Sequence, residues 1–245
     1  YIDWKLLYKS IINIDIKYLL LGIALSFFCP LVGSARWQKV LSAYDIKINF
    51  KRSLNSVMIA FSANLFAPAK SGDFIKVLIL NKDFQKTTLT SAVISERLGD
   101  LFVLSILALL FGIIIAIPQA IIIGSLISIG IIFSIIIISI LNFNFKNKIL
   151  FNAWYIIKEA SIIFLNKPII MITSMFWSAI NWILMSVQVW VFFMAIGVNI
   201  KILEVVSLFP LTVLLSLVPL TPGGLGVREA IYIYIFLPFA EAHES

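Results

Sequence analysis

Histidine and cysteine are almost missing from this chain, with one of each in 245 residues. The single cysteine, Cys29, lies in an apolar run, so no internal disulfide can form. The single histidine, His243, falls in the terminal tail. Ser-His-Asp triads and His/Cys metal sites are thereby excluded, and no cofactor is expected. Charge is also scarce. Only 13% of residues are charged, about half the roughly 25% of a soluble domain. No Gly-x-x-x-x-Gly-Lys-Ser/Thr loop is present, so the chain carries no nucleotide-binding signature of that kind.

What fills the space is hydrocarbon. Hydrophobic residues make up 61% of the chain, and the mean hydropathy is +1.06. No ten-residue alternation of the outer-membrane type appears. The composition therefore reads as an all-α polytopic membrane protein. The net charge of +7 calls for no nucleic-acid partner, because the bases cluster in short loops between apolar spans. Such bases also suit anionic lipid headgroups.

Charge-free stretches place the spans, since a crossing helix needs about 20 apolar residues. Tyr18–Ala35, Leu101–Ile117, Gln119–Leu141 and Pro168–Ile196 qualify. Ser53–Ala69 and Val205–Val218 are short and end on proline. Ala230–Ala240 begins a final span. The count is about six to seven membrane segments. The loop from Arg36 to Arg52 holds Lys39, Lys47 and Lys51 against one acid, Asp45. The stretch from Phe145 to Lys167 holds Lys146, Lys148 and Lys158 against Glu159. Both read as cytoplasmic. An even number of crossings between them fits only if Ser53–Ala69 enters and returns with Phe74–Leu80. Asn144–Asn166 mixes bases with aromatics and reads as an interfacial amphipathic helix. Trp177, Trp182 and Trp190 read as interface or packing residues. The chain begins at Tyr1 rather than methionine, so a single transmembrane domain over 1–245, lacking spans at one or both ends, is expected.

Three polar islands interrupt this hydrocarbon. The first is Glu96-Arg97-Leu98-Gly99-Asp100, directly before a charge-free run from Leu101 to Phe145. Glu96 and Asp100 lie four apart, on one helix face, and need a cation between them. Ionised groups at membrane depth cost roughly 2.5–3.5 kcal/mol each on insertion scales and are functional candidates by default. A salt-bridge knot locking helices is the structural alternative. The second island is Pro68-Ala-Lys-Ser-Gly-Asp73, where proline and glycine break a short apolar segment. The third is Thr221-Pro-Gly-Gly-Leu-Gly-Val-Arg-Glu229, whose helix start could offer free N–H groups to an anion. The second and third share a plan, with proline then glycine and a base beside an acid. Paired Pro/Gly-broken short segments in two halves point to inverted repeats meeting near the bilayer midplane.

In this order the islands resemble the flippase-like family that includes the membrane region of lysylphosphatidylglycerol synthase. The matching residues are Arg36-Trp37 and Leu41; Asn64, Pro68, Gly72 and Asp73; Glu96, Arg97 and Asp100; and Pro219, Pro222-Gly-Gly-Leu-Gly226 and Glu229. The resemblance spans roughly Tyr18 to Leu237. Lys70 stands where the family usually has arginine, and Asp73 where it often has glutamate. No lysyltransferase domain is present in the sequence. The resemblance implies a protein of the prokaryotic plasma membrane that handles a phospholipid, an aminoacylated lipid or a polyprenyl-linked lipid. It also implies a synthase or glycosyltransferase as a neighbour, and leaves a homo-oligomer open.

The leading expectation is translocation of a polar headgroup between leaflets. Arg36, Lys70, Arg97 and Arg228 would contact phosphate. Backbone N–H groups of Gly223, Gly224 and Gly226, in the turn opened by Pro222, would assist. Asp73, Glu96, Asp100 and Glu229 would balance the bases. Three alternatives stay open: a secondary transporter of a soluble solute, a membrane scaffold for a lipid or glycan synthase, and a transferase using carboxylates such as Glu96 and Glu229 as its acid and base.

Overall fold

The computed structural model describes residues 12–143, 145–217 and 226–241. These residues fold as packed helices: α1 (Ile16–Ala43), α2 (Phe50–Ala63), a 3-10 segment (Pro68–Phe74), α3 (Ile75–Leu80), α4 (Lys86–Ile114), α5 (Pro118–Ile140), α6 (Lys148–Asn166), α7 (Pro168–Ala195), α8 (Ile202–Ser216) and α9 (Val227–Glu241). The protein is an all-helical, multi-pass membrane protein. Among the described residues five helices are long and apolar enough to cross a bilayer: α1, α4, α5, α6 and α7.

Local chemistry sets the helix starts. Asp15 caps α1 by accepting from Lys17 N at 2.9 Å, and Asn49 caps α2 by accepting from Arg52 N at 2.8 Å. Proline opens α5 and α7, where its missing N–H costs nothing. In α8 and α9 a glutamate three residues into the helix accepts the N–H before it: Lys201 N to Glu204 at 3.0 Å, Gly226 N to Glu229 at 2.7 Å. Gly226 has φ +80°, a turn glycine adopts without strain.

α1 and α7 run antiparallel as the most extensive helix pair. Asp15 N donates to Ala195 O at 2.9 Å at one end. Lys167 Nζ meets Asp45 at 2.8 Å at the other, which defines the basic side. α4 and α5 form the second long pair. They touch closely where Gly124 faces Ser105 O and Leu109, and a Cβ there would lie 2.6 Å from that carbonyl.

Two short hairpins fill the space between the pairs. α2 has 14 residues, about 21 Å of helix against ~30 Å of hydrocarbon. It enters from the basic side, and α3 brings the chain back. Arg52 at the start of α2 is ion-paired with Asp83 just beyond α3. α8 and α9 repeat the plan from the other side. Ile235 and Phe236 of α9 pack on Ile200, Val205 and Leu208 near the start of α8, and on Ala120 at the α4–α5 turn. The two hairpins thus point at each other, the inverted arrangement that the Pro/Gly islands suggest.

α6 has the length to cross, yet its contacts keep it along the basic side. Lys158 Nζ donates to Leu141 O at the end of α5 at 2.8 Å. Ser91 near the start of α4 donates to Glu159 at 2.6 Å. The next residue after α6 is Lys167, already on the basic side. Trp154 packs edge-on to Phe143, with ring centroids 4.9 Å apart.

Candidate functional site

Helix α1 does not stop at Ala35, where charge would end an apolar span. It continues two turns and carries Arg36 and Trp37 into the protein, Trp37 with no exposed surface. The extension is tolerated because Arg36 finds partners on α4. It donates to Glu96 Oε1 from Nη2 at 2.7 Å and from Nε at 3.1 Å, and to Asp100 Oδ1 from Nη1 at 2.5 Å. Glu96 stands ten residues into α4, roughly 15 Å from its basic end at 1.5 Å per residue.

Glu96 is the hub. Its other oxygen accepts from Lys76 Nζ of α3, a lysine only 2% exposed. Lys76 Nζ also lies 4.4 Å from the centroid of the Trp37 ring, within cation–π range. Arg97 closes the ring, with Nη1 3.0 Å from Asp73 Oδ2 and Nη2 2.9 Å from Asp100 Oδ2. Asp73 also accepts from Asn64 Nδ2 at 3.2 Å, and Ser178 of α7 donates to Asp100. Three cations (Arg36, Lys76, Arg97) therefore face three carboxylates (Asp73, Glu96, Asp100). The balance leaves no net buried charge, the condition under which such a cluster is tolerable in low dielectric.

A cavity of about 160 Å³ lies against this cluster. Arg36, Asp73, Lys76, Glu96, Arg97 and Asp100 all reach its wall, with Asn64 from the first hairpin tip and Asn181 from α7. It is smaller than the ~300–1,000 Å³ of sites for drug-sized ligands. It has room for a phosphate and a few polar atoms, not for acyl chains. Phe61 and Leu65 line it and are 45% and 69% exposed, so apolar residues at its edge also face outward. A second cavity of about 230 Å³ adjoins Arg97, Asp100 and Trp182 on the side of α8, where Val213 and Leu217 line it.

Five of the residues singled out in the sequence come together here: Arg36, Asp73, Glu96, Arg97 and Asp100. Lys70 lies in the 3-10 segment beside the cavity's first hairpin, and its side chain is not described. Gly226 and Glu229 sit at the start of α9, where Glu229 accepts from Gly226 N. Pro222, Gly223 and Gly224 lie outside the described residues, as does the side chain of Arg228. Glu96 is enclosed by cations while Glu229 is exposed and caps a helix, so no acid/base pair between them is visible. Among the described residues no group of three or more His, Cys, Asp or Glu is placed to hold a metal ion.

Lys76, Asn64, Ser178 and Asn181 belong to the site without having been marked as its members. For Lys76 a signal existed: it lies three residues after Asp73 in an apolar segment, so one helical turn puts both on one face. Serine and asparagine within α7 gave a weaker one. Beside the cluster, Tyr44 and Ser95 oxygens are 2.6 Å apart, and Ser95 donates to Ala160 O at 3.1 Å, tying α1, α4 and α6 together. Burial pushes the Tyr44 phenol above its ordinary range, so it stays protonated and donates to Ser95.

A UPF0104 membrane protein of Pyrococcus horikoshii is 21% identical over 267 residues, covering 94% of this chain and 79% of that protein. A UPF0104 membrane protein of Methanothermobacter thermautotrophicus is 33% identical over 89 residues, covering 36% of this chain and 24% of that protein. No solved structure matches. The family described as the lysylphosphatidylglycerol synthase TM region matches residues 1–244, and the chain belongs to that family.

Proposed function

We propose that the protein is a lipid translocase: it carries the phosphate-bearing headgroup of a membrane lipid between leaflets while the acyl or prenyl chains stay in hydrocarbon. The observation that carries this reading is the cavity beside the balanced ion cluster, with the outward-facing Phe61 and Leu65 at its edge. A site for a soluble solute would be walled off from lipid. A headgroup site needs an apolar edge over which the chains can hang.

Arg97 is the residue to contact the phosphate. Arg36 and Lys76 are almost enclosed and held by carboxylates, whereas the Arg97 side chain is 23% exposed. Its Nε has no hydrogen-bond partner. An arriving phosphate takes up that N–H, and Asp73 or Asp100 yields the rest of the fork. Glu96 holds Arg36 and Lys76 in place around the moving pair. Lys70, Arg228 and the glycines Gly223, Gly224 and Gly226 are proposed as further phosphate contacts, with Glu229 balancing them and Pro222 shaping their turn. The setting is a prokaryotic plasma membrane, with membrane lipids as the direct partners. A scaffold for a synthase is the second reading, favoured by the family's own description.

Reconstitution tests both. Full-length protein is placed in liposomes with a labelled phosphatidylglycerol or polyprenyl-phosphate lipid, and exposure of the label in the outer leaflet is followed. Wild type is expected to exchange lipid; Arg97→Ala, folded by its thermal transition, is expected to lose that exchange. Lipid exchange equal to that of protein-free liposomes would reject translocation and favour the scaffold.

A further inference from the structure

The polar atoms left open in the cavity differ in kind from those already used. Every carboxylate in its wall is taken by a cation: Asp73 by Arg97, Glu96 by Arg36 and Lys76, Asp100 by Arg36 and Arg97. Asp73 Oδ2 and Asp100 Oδ2 accept no hydrogen bond but are ion-paired with Arg97, and three further side-chain atoms have no hydrogen-bond partner, namely Arg97 Nε, Asn64 Oδ1 and Asn181 Oδ1. One is a cationic donor and two are neutral acceptors.

The orientation of Asn64 is fixed by chemistry. Its other terminal atom meets Asp73 Oδ1 at 3.2 Å. A carboxylate needs a donor, so that atom is the amide nitrogen and the open one is the oxygen. Asn181 is 6% exposed, within membrane helix α7. Among the described residues its side-chain hydrogen-bond contact is a long one, Nδ2 to Met185 Sδ at 3.8 Å. A buried amide left this bare is uncommon and costly unless something else completes it. One helical turn earlier, Ser178 donates its hydroxyl proton to Asp100. Asn181 therefore does nothing visible for the fold, and it lines the cavity.

We infer that this cavity selects a phosphate ester bearing neutral hydroxyl groups, a polyol or sugar phosphate, with Arg97 Nε on the phosphate and the Asn64 and Asn181 amides on the hydroxyls. The inference rests on the headgroup reading above and narrows it. An ammonium-bearing headgroup would seek a free carboxylate, and each one here is already neutralised. A hydroxyl needs only a neutral acceptor and can in turn accept from the Asn181 amide N–H. The shared chemistry fits a lipid headgroup or a free polyol phosphate.

The test has two arms on full-length protein. In liposomes, exchange of labelled phosphatidylglycerol and phosphatidylinositol is compared with that of labelled phosphatidylethanolamine. In detergent, the thermal transition is followed with added glycerol phosphate, inositol phosphate or phosphoethanolamine. Wild type is expected to favour the hydroxyl-bearing member of each comparison. Asn181→Leu is expected to reduce that preference about five- to tenfold, the size of one lost hydrogen bond, while its thermal transition stays level or rises. Asn181→Gln is expected to restore part of the preference.

Preference in liposomes assigns the lipid source. A response to free polyol phosphate without lipid exchange assigns the soluble source and rejects translocation while keeping this selectivity. Equal handling of hydroxyl and ammonium members in both arms overturns the inference, and lipid exchange that continues without preference leaves translocation standing. A drop in the thermal transition of Asn181→Leu, with preference unchanged, would also overturn it, because Asn181 would then be serving the fold.

Discussion

The α2–α3 hairpin and the α8–α9 hairpin share a backbone plan and differ in chemistry. The first brings Asn64, Asp73 and Lys76 to the cluster and is held there by ion pairs. The second is held by apolar contact: Leu208, Phe209 and Leu211 pack against Ile235, Phe236 and Tyr232. Its described acids, Glu204 and Glu229, cap helix starts, with Glu229 exposed. Among the described residues the two hairpins are therefore alike in geometry and unlike in chemistry. One hairpin supplies charge to the cavity, and the other supplies a greasy wall next to Arg97 and Trp182. In hydrocarbon this division is economical, since each buried ion needs its own partner, whereas an apolar hairpin needs only shape.

The largest effect to expect is an all-or-none one that tests the shared plan. With Cys29 replaced by serine, a cysteine at Lys51 and one at Lys82 should react with an impermeant thiol reagent from one side of the membrane, and a cysteine at Asn199 from the other. Opposite reaction of Lys51 and Lys82 would mean that α2–α3 crosses, and the comparison between hairpins would fall. The next largest is Glu96→Ala. It strips two cations of their hub, and breaking a buried ion pair by removing one partner costs about 3–5 kcal/mol. Thermal unfolding in detergent should show a drop of that order, with lipid exchange lost. A loss under about 1 kcal/mol would mean that water or lipid already screens the cluster.

Much of this could be read in the sequence, and what could not has physical reasons. The long spans follow from charge-free runs, so α5 and α7 lie within a residue of where hydropathy puts them. α1 and α4 outrun their apolar stretches because Arg36 and Glu96 neutralise each other, and hydropathy counts each as a stop. The charged island before Leu101 was legible as a site because three ions in hydrocarbon must either lock helices together or meet a polar ligand. Lys76 was legible only as a neighbour of Asp73 one turn away, since its partner Glu96 is 20 residues off and only the return of the hairpin brings them together. Asn181 was hidden for a different reason. A lone asparagine in a long apolar helix gains meaning only when its neighbours prove to be apolar or already bonded.

Smaller effects sharpen the contrast from the side of the second hairpin. Leu208→Ala removes packing at the α8–α9 contact, where Leu208 is 2% exposed. A leucine-to-alanine change in a core costs about 2–5 kcal/mol. The low end is expected here, because surrounding lipid is as apolar as the leucine and only the packing is lost. Lipid exchange should fall less than in Glu96→Ala, and an equal fall would mean the greasy wall is as important as the ions. The smallest effect is at Glu229. Its one visible task is to accept the Gly226 N–H, so Glu229→Ala should cost about 0.5–1 kcal/mol, the size of a helix cap. Glu229→Gln, which keeps an acceptor and loses the charge, separates the two roles this residue could have. If it restores stability and lipid exchange together, Glu229 is a cap and the chemistry lies with the first hairpin. If stability returns while exchange stays about tenfold down, the charge itself serves the headgroup, and the second hairpin has a polar function that its packing does not reveal.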